Sequence, residues 1–186
     1  MKERTFEELG THMVGNIELK KHVYVTDPCY DTMMTWCQKL LDNVAPGTYR
    51  CFVVVSDEGN CGHRVAELHV ILNKVFDKYG ELSEIPYDPE PLNCYIDIDS
   101  GQCGIFDANY YEEHQPDDDY GNKNSWYRRV CDLTNNAGII DGLGVVCASG
   151  YGDGSYDLWV AKDDDGNVVA MKVVFINDEE DDSDEN

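Results

Sequence analysis

Positive charge is scarce in this chain: 14 Lys and Arg stand against 37 Asp and Glu among 186 residues, a formal net charge of −23. A field of that sign repels phosphate backbones and anionic lipid, because nucleic-acid binders gain most of their affinity from Lys and Arg that displace counterions. Direct nucleic-acid binding and membrane adhesion are therefore not expected. Long apolar runs are missing too. None approaches the roughly 18 to 20 residues that a bilayer span needs. Met1-Lys2-Glu3-Arg4 followed by Glu7 and Glu8 leaves no hydrophobic stretch of a signal peptide, so a cytoplasmic location is expected. What this field attracts is basic protein surface or divalent metal.

Paired Cys-x-x-Cys spacings are absent among the eight cysteines at 29, 37, 51, 61, 94, 103, 131 and 147. Structural zinc sites normally show such pairs, and Cys61-Gly62-His63 is the nearest thing to half of one. Without a secretion signal the thiols are expected to stay reduced. Cys37, Cys51 and Cys147 lie in apolar segments and read as small core residues. A Gly-x-Ser-x-Gly elbow, a phosphate-binding loop with Lys, a His-Glu-x-x-His pair and a dinucleotide fingerprint are also missing. The chain is expected to be non-enzymatic.

What is present divides into one domain, residues 1–177, and an acidic tail, residues 178–186, expected to be disordered. Seven of the acids and none of the bases fall in that tail, so residues 1–177 still hold 30 acids against 14 bases, a charge of −16. Thr5-Phe6-Glu7-Glu8 has capping-box spacing for a short helix. Residues 22–26 read as a strand ended by Asp27-Pro28. Met33, Trp36, Cys37, Leu40, Leu41 and Val44 recur at helical spacing, which predicts a helix N-capped by Asp31. Pro46-Gly47 turns into a strand over 49–55, paired as a hairpin with 65–72, where Ala66, Leu68, Val70 and Leu72 face the core. A strand over 94–98, helices over 107–113 and 125–133, and strands over 144–148, 156–161 and 168–176 complete the pattern. The fold class is α+β, mainly antiparallel β-sheet in a sandwich or open barrel, with a few helices packed on one side.

Four segments carry candidate chemistry. Ser149-Gly150-Tyr151-Gly152-Asp153-Gly154-Ser155-Tyr156 is either a nest of backbone amides for an anion, with Asp153, Ser155 and Tyr156 supplying side chains, or a bulged turn bonded to itself. The bulged turn outweighs the nest. Asp97 and Asp99 share a strand face. With Asp107 they are candidates for a Ca²⁺ site, against which stands the plain reading of a surface hairpin, since the 12-residue calcium-loop pattern is absent. Cys29, at the junction of strand and helix, is a candidate nucleophile that Asp27 and Asp31 oppose electrostatically. Last, Glu112, Glu113, Asp117, Asp118, Asp119 and Tyr120 form an acidic run with aromatic neighbours. It reads as a solvated face or as an interface for an Arg-rich surface.

The Ser149–Tyr156 segment with the strands after it, to Phe175, resembles the ending of an uncharacterised family of small bacterial and phage proteins, known only as a domain of unknown function and marked by Ser-Gly-x-Gly-Asp-Gly-x-Tyr. Asp99-Ser100-Gly101-Gln102-Cys103 leading to Asp107 is similar to its middle motif. Pro46-Gly47-Thr48-Tyr49 with the 65–72 strand is similar to its early hairpin, and Val25-Thr26-Asp27-Pro28 to its opening. The resemblance covers most of residues 22–176 and implies a β-rich fold with no established activity. The helix around Trp36, the acidic loop at 112–119 and the tail depart from the family pattern. The functional expectation is an acidic interaction protein that binds and inhibits a basic nucleic-acid-binding protein by mimicking nucleic acid, in the manner of phage inhibitors of host defence. The alternatives are a small enzyme or ligand-binding module with a pocket built from Asp99, Asp107, Asp153, Ser155 and Tyr156, and a calcium-stabilised structural protein.

Overall fold

The computed structural model describes residues 8–114, 121–133 and 137–177, the side chains of 131–133 excepted. Among the described residues eleven strands form two antiparallel sheets. The first sheet has six strands in the order β1 (Gly10–Leu19), β4 (Gly47–Asp57), β5 (His63–Leu72), β11 (Val168–Val174), β10 (Gly154–Lys162) and β6 (Tyr95–Ile98). The second has five, in the order β3 (Gln38–Leu41), β2 (Val23–Thr26), β7 (Gln102–Asp107), β9 (Gly144–Ala148) and β8 (Ala137–Ile140).

Strand periodicity explains how the sheets face each other. Successive side chains alternate between faces, so Val25, Ile105, Val145 and Cys147 of the second sheet point inward and meet Cys51, Val53, Leu68, Val70, Leu158 and Val160 of the first. Tyr24, Phe106 and Val146 point to the opposite face, where Tyr110, Tyr111, Trp126 and Val130 cover them in a separate aromatic core. Those covering residues come from α2 (Ala108–Glu113) and α3 (Trp126–Leu133). The side chain of Asp107 caps α2 by accepting from the Tyr110 N–H, and Ser125 Oγ caps α3 by accepting from the Arg128 N–H. A third helix, α1 (Asn73–Tyr79), lies on the outer face of the six-stranded sheet against β4 and β5. The helices thus cover both outer faces, where the sequence expected one side.

The sandwich is drawn together at both margins, where β1 lies beside β8 and β6 beside β3. Close approach is made possible by glycine, as at Gly15 of β1, where a Cβ would stand 2.7 Å from Ile139 Cγ1 of β8. β8 and β9 are joined by Asp141-Gly142, both at positive φ, the backbone twist that tight hairpins favour.

The expected hairpin, the strands near 22–26, 94–98, 144–148, 156–161 and 168–176, and helices α2 and α3 are present. One expectation fails. Residues 31–44 form no α-helix: a three-residue 3-10 turn, Thr35–Cys37, leads directly into β3, which pairs with β2. The strand β1, Gly10–Leu19, was not expected from the sequence. The capping box at 5–8 lies mostly, and the acidic tail wholly, outside the described residues.

Candidate functional site

The glycine-rich turn satisfies itself. Ser149 Oγ donates to the Gly152 carbonyl at 2.9 Å and the Gly152 N–H to the Ser149 carbonyl at 2.8 Å. The Tyr156 hydroxyl donates to the Gly152 carbonyl at 2.7 Å. Gly150 sits at φ 55°, and a Cβ on it would stand 3.0 Å from the Phe175 Cβ. Ser155 donates to Asp97, Tyr30 donates to Asp99, and Asp153 is exposed. Asp107 is buried, accepting from the Lys20 N–H at 3.1 Å as well as capping α2. Asp97, Asp99 and Asp107 therefore serve three different local contacts. Among the described residues no group of three or more His, Cys, Asp or Glu side chains is placed to hold a metal.

A residue that the sequence reading placed at a strand end and beside Cys29, with no site role of its own, turns out to organise this end of the molecule. Asp27, fully buried, accepts four hydrogen bonds: from the Cys29 N–H at 2.9 Å, the Asp99 N–H at 3.0 Å, the Ser100 N–H at 2.8 Å and Ser100 Oγ at 2.6 Å. It ties the exit of β2 to the turn between β6 and β7. Trp126 Nε1 donates to the Pro28 carbonyl at 2.7 Å and the Tyr111 hydroxyl to the Tyr30 carbonyl, anchoring the same loop to the aromatic core. The expected opening motif and middle motif thus meet through one carboxyl group.

Beyond that anchored loop the chain exposes apolar surface. Met33, Met34, Trp36 and Leu40 are 81%, 44%, 48% and 38% exposed, and Tyr95 on the adjacent edge strand β6 is 64% exposed. Trp36 is braced edge-to-face by Tyr30, with ring centroids 5.3 Å apart. Carboxylates flank these residues in sequence: residues 31–42 and 95–99 contain Asp31, Asp42, Asp97 and Asp99 against the single base Lys39. Leu40 is the cross-strand partner of Tyr24, whose hydroxyl donates to Glu112 at 3.1 Å. The acidic run therefore begins beside the patch. Glu112 and Glu113 are exposed, while Asp117, Asp118, Asp119 and Tyr120 lie outside the described residues.

A cleft of about 820 Å³ lies elsewhere, on the outer face of the six-stranded sheet. His69, 3% exposed, lies at its floor with Nε2 2.6 Å from Glu67 Oε2 and Nδ1 3.0 Å from the Tyr87 hydroxyl. An ionised carboxylate only accepts, so Nε2 carries the proton and Nδ1 receives the phenol's. Burial pushes the His69 pKa down, and Glu67 opposes this without reversing it. The hydrogen bond from His69 holds the Glu67 carboxyl below the ordinary value of 4.5. Burial pushes the Tyr87 phenol up, so it stays a donor. Sequence reasoning missed this site, because odd positions of the 65–72 strand read as solvent-facing. Its one legible sign was Glu67 and His69 two apart on that face.

Fold and sites together define a β-sandwich protein with a cleft over a buried histidine on one face and exposed aromatic residues at an edge. The chain matches, over residues 21–173, the family described as a protein of unknown function, DUF4241, and it belongs to that family. No curated protein and no solved structure matches it.

Proposed function

We propose that this protein is an acidic interaction module that engages a basic, nucleic-acid-binding protein and occupies the surface meant for nucleic acid. The observation that carries this reading is the exposed patch of Met33, Met34, Trp36, Leu40 and Tyr95, flanked in sequence by carboxylates on a body of strongly negative charge. Interfaces concentrate their energy in Trp, Tyr and Met at the centre, shielded by a polar rim. Carboxylates at such a rim steer and orient a cationic partner. The braced geometry of Trp36 supports the reading further, since a pre-ordered anchor loses little entropy on docking. The acidic run from Glu112 through Asp119, with Tyr120, extends the rim in this proposal, and the phage-inhibitor strategy is the class of activity it fits.

Affinity capture from host lysate at low and moderate salt tests it, with wild type beside Trp36→Ala/Tyr95→Ala and Asp97→Asn/Asp99→Asn. The expected result is a basic protein retained by wild type, released by competing DNA or RNA, lost with the aromatic pair and weakened at least several-fold with the carboxylate pair. Retention that ignores all four substitutions would remove this patch as the interface.

A further inference from the structure

The cleft around His69 has no part in the reading above and shares none of its residues. Its floor includes a row across the sheet in which His69 faces Lys172 and Lys172 faces Trp159. Directly opposed residues share a sheet face, so an imidazole, an ammonium and an indole lie side by side. The walls come from α1 and the segment after it: Phe76, stacked on Phe52 at 4.8 Å between centroids, then Leu82, Ile85, Pro86 and Tyr87. A cavity of about 820 Å³ lies within the range that encloses small organic ligands.

The charges in the cleft decide what such a ligand carries. Glu67 is engaged by His69, and Asp88 is paired with Lys162 at 2.7 Å. Both nitrogens of His69 are occupied, and its depressed pKa keeps the ring neutral. Glu81, exposed at the wall, is the remaining carboxylate, and Lys172 is the one Lys or Arg among the lining residues. Its Nζ lies 5.1 Å from the Tyr87 ring centroid and 5.2 Å from that of Trp159, and among the described residues it makes no ion pair or hydrogen bond. The two rings hold the ammonium over the floor by their quadrupoles, leaving three N–H donors for an anion. Glu67 stands close enough to feel Lys172, and the whole molecule is strongly negative. A dianion would meet both repulsions, a monoanion far less.

We propose that this cleft binds a small organic monocarboxylate with an apolar or aromatic body, its carboxylate on the Lys172 ammonium and its body against Phe76, Leu82, Ile85 and Trp159. Charge-assisted hydrogen bonds fix the head, and burial of the body supplies most of the affinity. Phosphates and nucleotides are poor ligands on this account, and so are amines.

The test is an NMR titration of the full chain with phenylacetate and with octanoate, following the His69 ring protons and the backbone amides of β5 and β11. Phenethylamine and inorganic phosphate serve as probes of the opposite charge and of higher charge. Saturable shifts at the cleft with the carboxylates, at least about tenfold weaker in Lys172→Met and abolished in Leu82→Trp, which fills the cavity from its wall, are the expected result. Amide spectra of each variant establish that it folds. The proposal is overturned by any of three outcomes: no saturable shift with either carboxylate, equal affinity in a folded Lys172→Met variant, or tighter binding of phenethylamine or phosphate. Because Trp36 and Tyr95 line no part of the cleft, such failure would leave the interaction reading standing.

Discussion

Two buried polar residues carry the most consequence per atom. Asp27 replaces water with four donors, and an amide in its place offers only one oxygen to them. Asp27→Asn should therefore cost about 3 kcal/mol, the scale of hydrogen bonds to a charged acceptor plus an N–H left buried without a partner. Urea unfolding measures it, and a cost under about 1 kcal/mol would contradict the role given to Asp27. His69 makes a prediction in pH. Its folded pKa lies below the ordinary 6.5, so the unfolded chain takes up the proton first and stability falls as pH drops below that value. The groups facing it, Glu67, Tyr87 and Lys172, do not reverse that sign. Melts between pH 7.5 and 5 should show wild type losing stability relative to His69→Gln, whose side chain does not titrate. Stopping at pH 5 stays above the ordinary 4.5 of Glu67, whose own loss belongs to lower pH. Parallel melting curves for the two proteins would mean that His69 is not held neutral.

At the scale of elements, residues 31–44 show how a periodicity misleads. Met33, Trp36, Leu40 and Val44 share helical spacing, yet Met33, Trp36 and Leu40 are exposed and Val44 is buried. The segment is extended because β2 needs a second partner: Val23 pairs with Leu41 and Thr26 with Gln38, and each ladder bond satisfies a backbone group that would otherwise be unpaired. Asp31 still accepts from the Met33 N–H at 2.9 Å, but it closes a turn that no helix continues. A surface role for Trp36 predicts that Trp36→Ala changes stability by no more than about 0.5 kcal/mol, whereas a core Trp would cost several. The glycine turn predicts the opposite. Gly150 combines φ 55° with a neighbour at 3.0 Å from any added Cβ, so Gly150→Ala should destabilise by roughly 2 kcal/mol through left-handed strain and crowding. Thermal denaturation of both variants separates the two cases.

At the scale of the whole molecule, charge and topology act separately. A formal charge of −23 raises the energy of the compact state by self-repulsion, and salt screens it. The melting temperature should rise with NaCl between 20 and 300 mM, while capture of a basic partner weakens over the same range. A melting temperature that falls with salt would point instead to stabilising ion pairs of the kind seen between Arg129 and Asp141 at 2.6 Å. Much of this was legible in the residues themselves. Alternation and turn chemistry identified the 49–72 hairpin and the last three strands, and Ser125 marked the start of a helix. β8 carried a legible sign as well, in the Asp141-Gly142 turn that joins it to β9.

The amino-acid sequence by itself determined the charge, the β-rich class and the strand faces, because composition and a period of two are local properties of the chain. Only the tertiary structure decided which residues meet. Asp27 reaches Ser100 across 73 positions, and Lys172 stands beside His69 because β11 is inserted next to β5. An outward-facing residue on a strand becomes buried when a distant segment, here α1 and the loop to Tyr87, folds over that face. That coverage is set by sheet order and register, which no local pattern encodes.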